Sequence, residues 1–174
     1  MGVHTGQDVA PDGIFSGYAS LFEVPDLGGD IIQRGAFAAS LGRRGAGRVR
    51  MLWQHDAAQP LGQWLDIRED ARGLRVRGKL NLAVQRAREL QALMAQKAVD
   101  GLSIGFHAVR ASRDGRSGRR RLLHVDLWEI SLVTFPMQPA ARVIETRDDR
   151  ALERRLLASI GRMSGALSRG VAMG

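Results

Sequence analysis

The stretch VDGLSIGF, residues 99–106, marks where one periodicity gives way to another. On its N-terminal side, Leu82, Arg86, Ala87, Leu90, Leu93, Met94, Lys97 and Ala98 recur at three- and four-residue steps. That spacing predicts an amphipathic helix over 82–98. Asp100 and Gly101 end it and launch a strand over 102–111. There the period is two: Leu102, Ile104, Phe106 and Ala108 share one face, and Ser103, Gly105 and His107 the other. With the apolar face turned to the core, Ser103 is expected on the opposite side. Gly101 and Gly105 beside it are expected to leave that surface open to a substrate backbone.

Working outward, IFSGYASLFEV (14–24) reads as a strand kinked at Gly17, and PDLGGD after it as a turn. GAFAASL (35–41) predicts a short helix closed by GRRGAG, and VRMLWQH (49–55) a strand followed by a proline turn. PLGQWLDIRED and GLRVRGKLN form a hairpin around Asp70 to Gly73. In its second arm Leu74, Val76 and Leu80 alternate with Arg75, Arg77 and Lys79, the pattern of a half-exposed strand. Downstream, the polar SRDGRSGRR separates strand 102–111 from the long strand LLHVDLWEISLVTF, which Pro136 and Pro139 stop. Six or more mostly antiparallel strands with two helices predict an α+β fold, a small closed or nearly closed β-barrel whose closure removes exposed edges. Residues 1–145 form this domain. From Thr146 the composition shifts, and Leu152, Leu156, Leu157, Ile160 and Met163 mark an amphipathic appendage over 146–174. It is expected to dock on a second copy or another protein.

Composition excludes several chemistries. The 174 residues contain no cysteine, which removes disulfides, thiolate metal sites and cysteine nucleophiles. No apolar run approaches the roughly 18 residues of a membrane span, and MGVHTGQDVAPDG lacks the order of a signal peptide. A cytoplasmic setting suits both. The net charge of +8 is almost all arginine, which suits phosphate or carboxylate partners. The arginines are scattered, however, and without the aromatic interleaving of single-strand binders. No GxSxG elbow, HExxH or GxxxxGK[ST] loop occurs, so no metal or cofactor is expected.

A serine is a weak nucleophile until a base stands beside it. Among the histidines, His4 lies in the N-terminal stretch. His55 ends a strand at a loop, where a rigid element presents a side chain. His107 shares a face with Ser103 but lies roughly 13 Å away, at about 3.3 Å per residue, too far for a direct base. His124 sits in the last long strand.

Taken together, LWQHD (52–56), GLSIGF (101–106) and DLWEISLVTFPMQPAA (126–141) resemble the prohead maturation proteases of tailed phages and phage-derived gene transfer agents. GYASLFEVPDLGGDIIQRGAF (17–37) is similar to their N-terminal segment, and the likeness runs in order over about 14–144. The resemblance implies a herpesvirus-protease-like fold, a small β-barrel surrounded by helices. It also implies a serine endopeptidase that cleaves scaffold or major capsid protein propeptides, and itself, inside the assembling prohead in the bacterial cytoplasm. Carried over by motif, Ser103 is the nucleophile and His55 its general base. Glu129 is the favoured third member because the motif centres on it. Asp126 is a rival, and His124 would copy the two-histidine arrangement of the herpesvirus enzymes. Regular alternation puts Asp126 and His124 on one face and Glu129 on the other, so only one side reaches His55. A silent capsid scaffold and a basic nucleic-acid-binding barrel are the alternative readings.

Overall fold

The computed structural model describes residues 9–115 and 117–144. The appendage over 146–174 and His4 lie outside the described residues. Strands β1 (Ile14–Leu21), β2 (Asp30–Ile32), β3 (Arg50–Trp53), β4 (Asp56–Glu69), β5 (Gly73–Leu80), β6 (Gly101–Arg113), β7 (Arg120–Val133) and β8 (Val143–Ile144) form a single sheet, with α1 (Ala38–Arg44) and α2 (Gln85–Ala95) packed against it. The sheet order is β2-β7-β3-β4-β5-β1-β8, and β6 pairs β7 off this path. Most pairings are antiparallel, but β2 and β3 run parallel to β7. The result is a mixed, mostly β half-barrel with two helices.

The strand β7 organises the sheet. One edge is taken by β6 from Arg120 to Val133. The other edge is shared, with β2 opposite Arg120 to Leu122 and β3 opposite Glu129 to Leu132. Between them the backbone groups of β7 would be orphaned, which folded chains avoid. The segment around α1 fills the gap: Val125 N–H donates to Ala36 O at 3.0 Å and Leu127 N–H to Ser40 Oγ at 2.9 Å.

The β4–β5 hairpin forms where the periodicity places it, and α2 lies within the expected 82–98, three residues shorter at each end. Leu74, Val76 and Leu80 are buried, and α2 turns Ala87, Leu90 and Met94 inward against the sheet. Phe15 meets Trp64 edge-on at 5.7 Å, a favoured aromatic geometry.

Other segments depart from expectation. Pro60 does not close a turn: it lies inside β4, opposite Leu52 at a register shift, the kind of irregularity that tolerates a missing N–H. Gly17 makes no kink either. A Cβ there would stand 2.6 Å from Arg142 O and 2.7 Å from Leu102 Cδ1, so glycine permits close packing, while the irregularity in β1 falls between Tyr18 and Ser20. The helix α1 starts three residues late because Gly35 and Phe37 N–H both donate to the Glu69 carboxylate at 2.8 Å. That distant side chain holds the segment in a turn, with Gly35 at φ +87°.

Candidate active site

Trp53 pairs with Asp56, so Gln54 and His55 are the two central residues of the β3–β4 hairpin turn and not the end of a strand. Both have positive φ, 52° and 62°, the signature of a type I′ turn, which Asn and Gly normally occupy. Side chains in this region carry strain of order 1–3 kcal/mol each, so the surroundings must impose the conformation. The C-terminal end of β7 does so. Gln54 N–H donates to Leu132 O at 3.1 Å, and its side-chain amide to Thr134 Oγ1 at 2.8 Å. His55 N–H donates to Ser131 Oγ at 3.0 Å.

The imidazole of His55 is thereby set against β7, with Nδ1 2.6 Å from Glu129 Oε1. A carboxylate only accepts, so Nδ1 carries the proton and Nε2 is left as the basic nitrogen. The bond His55 donates to Glu129, which is charge-assisted, outweighs partial desolvation and holds the His55 pKa above its ordinary value of 6.5. The other carboxylate oxygen, Glu129 Oε2, accepts from Ser131 Oγ at 2.7 Å.

Antiparallel register puts Ser103 directly opposite Ser131 and Gly105 opposite Glu129. Facing residues of this kind have Cβ atoms about 4.5–5.5 Å apart. Ser103 is therefore a cross-strand neighbour of the residue that holds His55. It is not on an open surface: it is 4% exposed, at the wall of a cleft of about 220 Å³ that Ala19, Ser20, Ile104, Phe106 and Met137 also line. The flanking glycines do not clear a path for substrate. A Cβ at Gly101 would meet Val133 O at 2.6 Å and the Pro136 ring at 2.8 Å; one at Gly105 would meet Glu129 Oε1 at 2.2 Å. The space beside Gly105 is occupied by the carboxylate that holds His55. Gly105→Ala is accordingly expected to push Glu129 off His55 and to lower any His55-dependent activity on the order of 100-fold, since small misplacements of reacting groups cost that much. Thermal unfolding should move less than activity, because the atoms displaced all belong to the Glu129 side chain and none to the backbone. Parental activity in a folded Gly105→Ala protein would refute this account of the glycine.

The other candidates lie elsewhere. Asp126 accepts from Arg44 at 3.0 and 2.7 Å, from Ser40, from Arg43 and from Trp128 Nε1. The Arg44 guanidinium, foremost, holds its carboxyl well below the usual carboxylate range. It fastens α1 to β7. His124 is exposed and stands opposite Arg110, five residues from Glu129, roughly 17 Å at about 3.4 Å per residue. His107 stacks on Trp128 at 6.5 Å. Ser131 and Gln54 carry the site's geometry and were not singled out from sequence. Ser131 shares strand parity with Glu129, which was a usable signal; the turn at Gln54 left none.

Among the described residues, no helix is long and apolar enough to cross a membrane. Residues 4–154 match the profile of the family described as caudovirus prohead serine protease. The chain is 35% identical over 143 residues to the prohead protease of Enterobacteria phage HK97, covering 81% of this chain and 63% of that protein. It thus spans less than two thirds of that relative's length. Among solved structures, KSHV protease in complex with a hexapeptide phosphonate inhibitor superposes with a TM-score of 0.51 at 11% identity, over 75% of this chain and 63% of that one. Varicella-zoster virus protease gives a TM-score of 0.45 at 14% identity, over 75% and 62%.

Proposed function

Since this chain belongs to the caudovirus prohead serine protease family, we propose that it is a serine endopeptidase of capsid maturation in which Ser103 is the nucleophile, His55 the general base and Glu129 the group that orients His55. The observation that carries this reading is the His55–Glu129 pair at 2.6 Å, held beside the strand position that faces Ser103. A silent scaffold has no use for an imidazole fixed at this strain. Ser131 is the poorer nucleophile: it is fully buried, and its hydroxyl already accepts from His55 and donates to Glu129.

The chemistry follows from these positions. Ser103 Oγ attacks the scissile carbonyl carbon while His55 Nε2 takes the hydroxyl proton. The imidazolium so formed is stabilised by Glu129. Collapse of the tetrahedral intermediate expels the amine, which leaves with the proton from His55. Water, deprotonated by the same nitrogen, then releases the acyl group from Ser103.

The substrate has a place to lie. Leu102 N–H donates outward to Ala141 O at 2.9 Å. By alternation, Ile104 also turns its backbone groups to the outer edge of β6, where no described strand pairs beyond a single bridge at Gly101. An extended chain can add to such an edge, with Met137 and the adjoining exposed Leu27 offering apolar contact. The substrates fitting this reading are scaffold and major capsid protein propeptides and the chain itself, within the assembling prohead. The appendage over 146–174 is the segment we assign to self-association or trimming.

A fluorophosphonate tests the assignment. One covalent adduct, mapped by mass spectrometry to Ser103 and slowed by His55→Ala, is expected. An adduct on Ser131, or none on a folded protein that cleaves propeptide, would overturn it.

A further inference from the structure

We infer that Ser131 is a positioning residue of this peptidase, closing a ring of hydrogen bonds that fixes both ends of His55. The inference rests on the assignment of His55 as base and Glu129 as its partner. The ring runs from His55 N–H to Ser131 Oγ at 3.0 Å, from the Ser131 hydroxyl to Glu129 Oε2 at 2.7 Å, and from Glu129 Oε1 back to His55 Nδ1 at 2.6 Å.

Each link constrains the next. A hydroxyl has one proton to donate. Because Ser131 receives the backbone N–H of His55, that proton is free to go to Glu129. The carboxylate is then held by two donors, one on each oxygen, and presents Oε1 to the imidazole in a single orientation. At the same time the backbone of His55 is tethered in the left-handed region, φ 62°, which a histidine does not favour unaided. One buried hydroxyl thus sets the peptide of the base, and through Glu129 its ring. Ser131 is fully buried, opposite Leu52 of β3 on one side and Ser103 of β6 on the other. Its hydrogen bonds go to the His55 peptide and to Glu129, and not to Nε2 or to Ser103, so its effect passes through His55.

Valine and threonine at position 131 are nearly isosteric and differ in the hydroxyl, so comparing Ser131→Val with Ser131→Thr separates the ring from packing. Propeptide cleavage by the full chain is measured together with the low-field proton resonance of His55 Nδ1–H. Ser131→Thr should retain most of kcat. Ser131→Val should lose on the order of 100-fold in kcat, keep its KM, and lose or broaden the resonance. Ser131→Ala, which makes no steric demand, should behave as the valine variant and covers the case in which both larger side chains unfold. Equal kcat in the valine and threonine variants, or a parental resonance and kcat in the alanine variant, would overturn the inference. Labelling distinguishes this from failure of the underlying assignment. Loss of the Ser103 adduct from the parent protein sinks the catalytic reading itself, whereas a parental labelling rate in Ser131→Ala sinks only the role of Ser131.

Discussion

Replacing Ser103 with alanine is expected to abolish propeptide cleavage while leaving the fold in place. With Ser103 as the proposed nucleophile of a triad that acts as a unit, its loss lowers kcat on the order of a million-fold, which takes turnover below detection. The stability change should stay within about 1 kcal/mol, because no described residue depends on the Ser103 hydroxyl for a hydrogen bond and the side chain lines a cleft. The two outcomes are read from gel-based cleavage and from thermal unfolding on the same preparation. A Ser103→Ala protein that still cleaves would remove Ser103 from the mechanism; one that fails to fold would make the hydroxyl structural.

Glu129→Gln should be nearly as damaging, at about 10⁴-fold in kcat, and for a different reason. The carboxylate meets two donors, the Nδ1–H of His55 and the hydroxyl of Ser131. A glutamine offers one accepting oxygen and one donating nitrogen. It can therefore satisfy the pair only if His55 changes tautomer, which puts the proton on Nε2 and removes the base, or if Ser131 surrenders its bond. The pH profile reports the same contact. Glu129 holds the His55 pKa above 6.5, so in the parent protein the neutral base is populated, and kcat/KM rises, only as pH climbs past that raised value. The stabilisation that the charged pair lends to the fold runs the other way: it is present below the unfolded-state pKa and fades as pH rises through the folded one. In Glu129→Gln the raising cause is gone and the desolvation of His55 remains, so the acid limb of residual activity should move to lower pH. An unmoved acid limb would show that the titrating group is not His55.

The motif match across three blocks already joined Ser103, His55 and Glu129, but strand alternation alone left Asp126 and His124 as rivals. What separates them is a set of long-range partners. Asp126 is drawn to Arg43 and Arg44 of α1, and Glu129 is placed opposite Gly105, where the missing side chain leaves room for a carboxylate. Neither fact has a local signature, because each depends on the register of strands far apart in the chain.

The hairpin of β4 and β5, the helix α2 and the two long strands β6 and β7 were legible in the amino-acid sequence itself. Their apolar residues recur at the period of the element, and burial of one face is what stabilises a strand or helix of that pattern. Tertiary structure alone decided the rest. His55 belongs to a strained turn and not to a strand end, since the hydrogen bonds that Gln54 and His55 N–H donate to Leu132 O and Ser131 Oγ outweigh the backbone preference of Gln54 and His55. Pro60 sits within a strand because a register shift accommodates it, and α1 begins late because Glu69, more than thirty residues away, captures the amides before it. Periodicity records which face of an element is buried; it carries no record of which distant residue supplies the next hydrogen bond, and here those bonds set the position of His55.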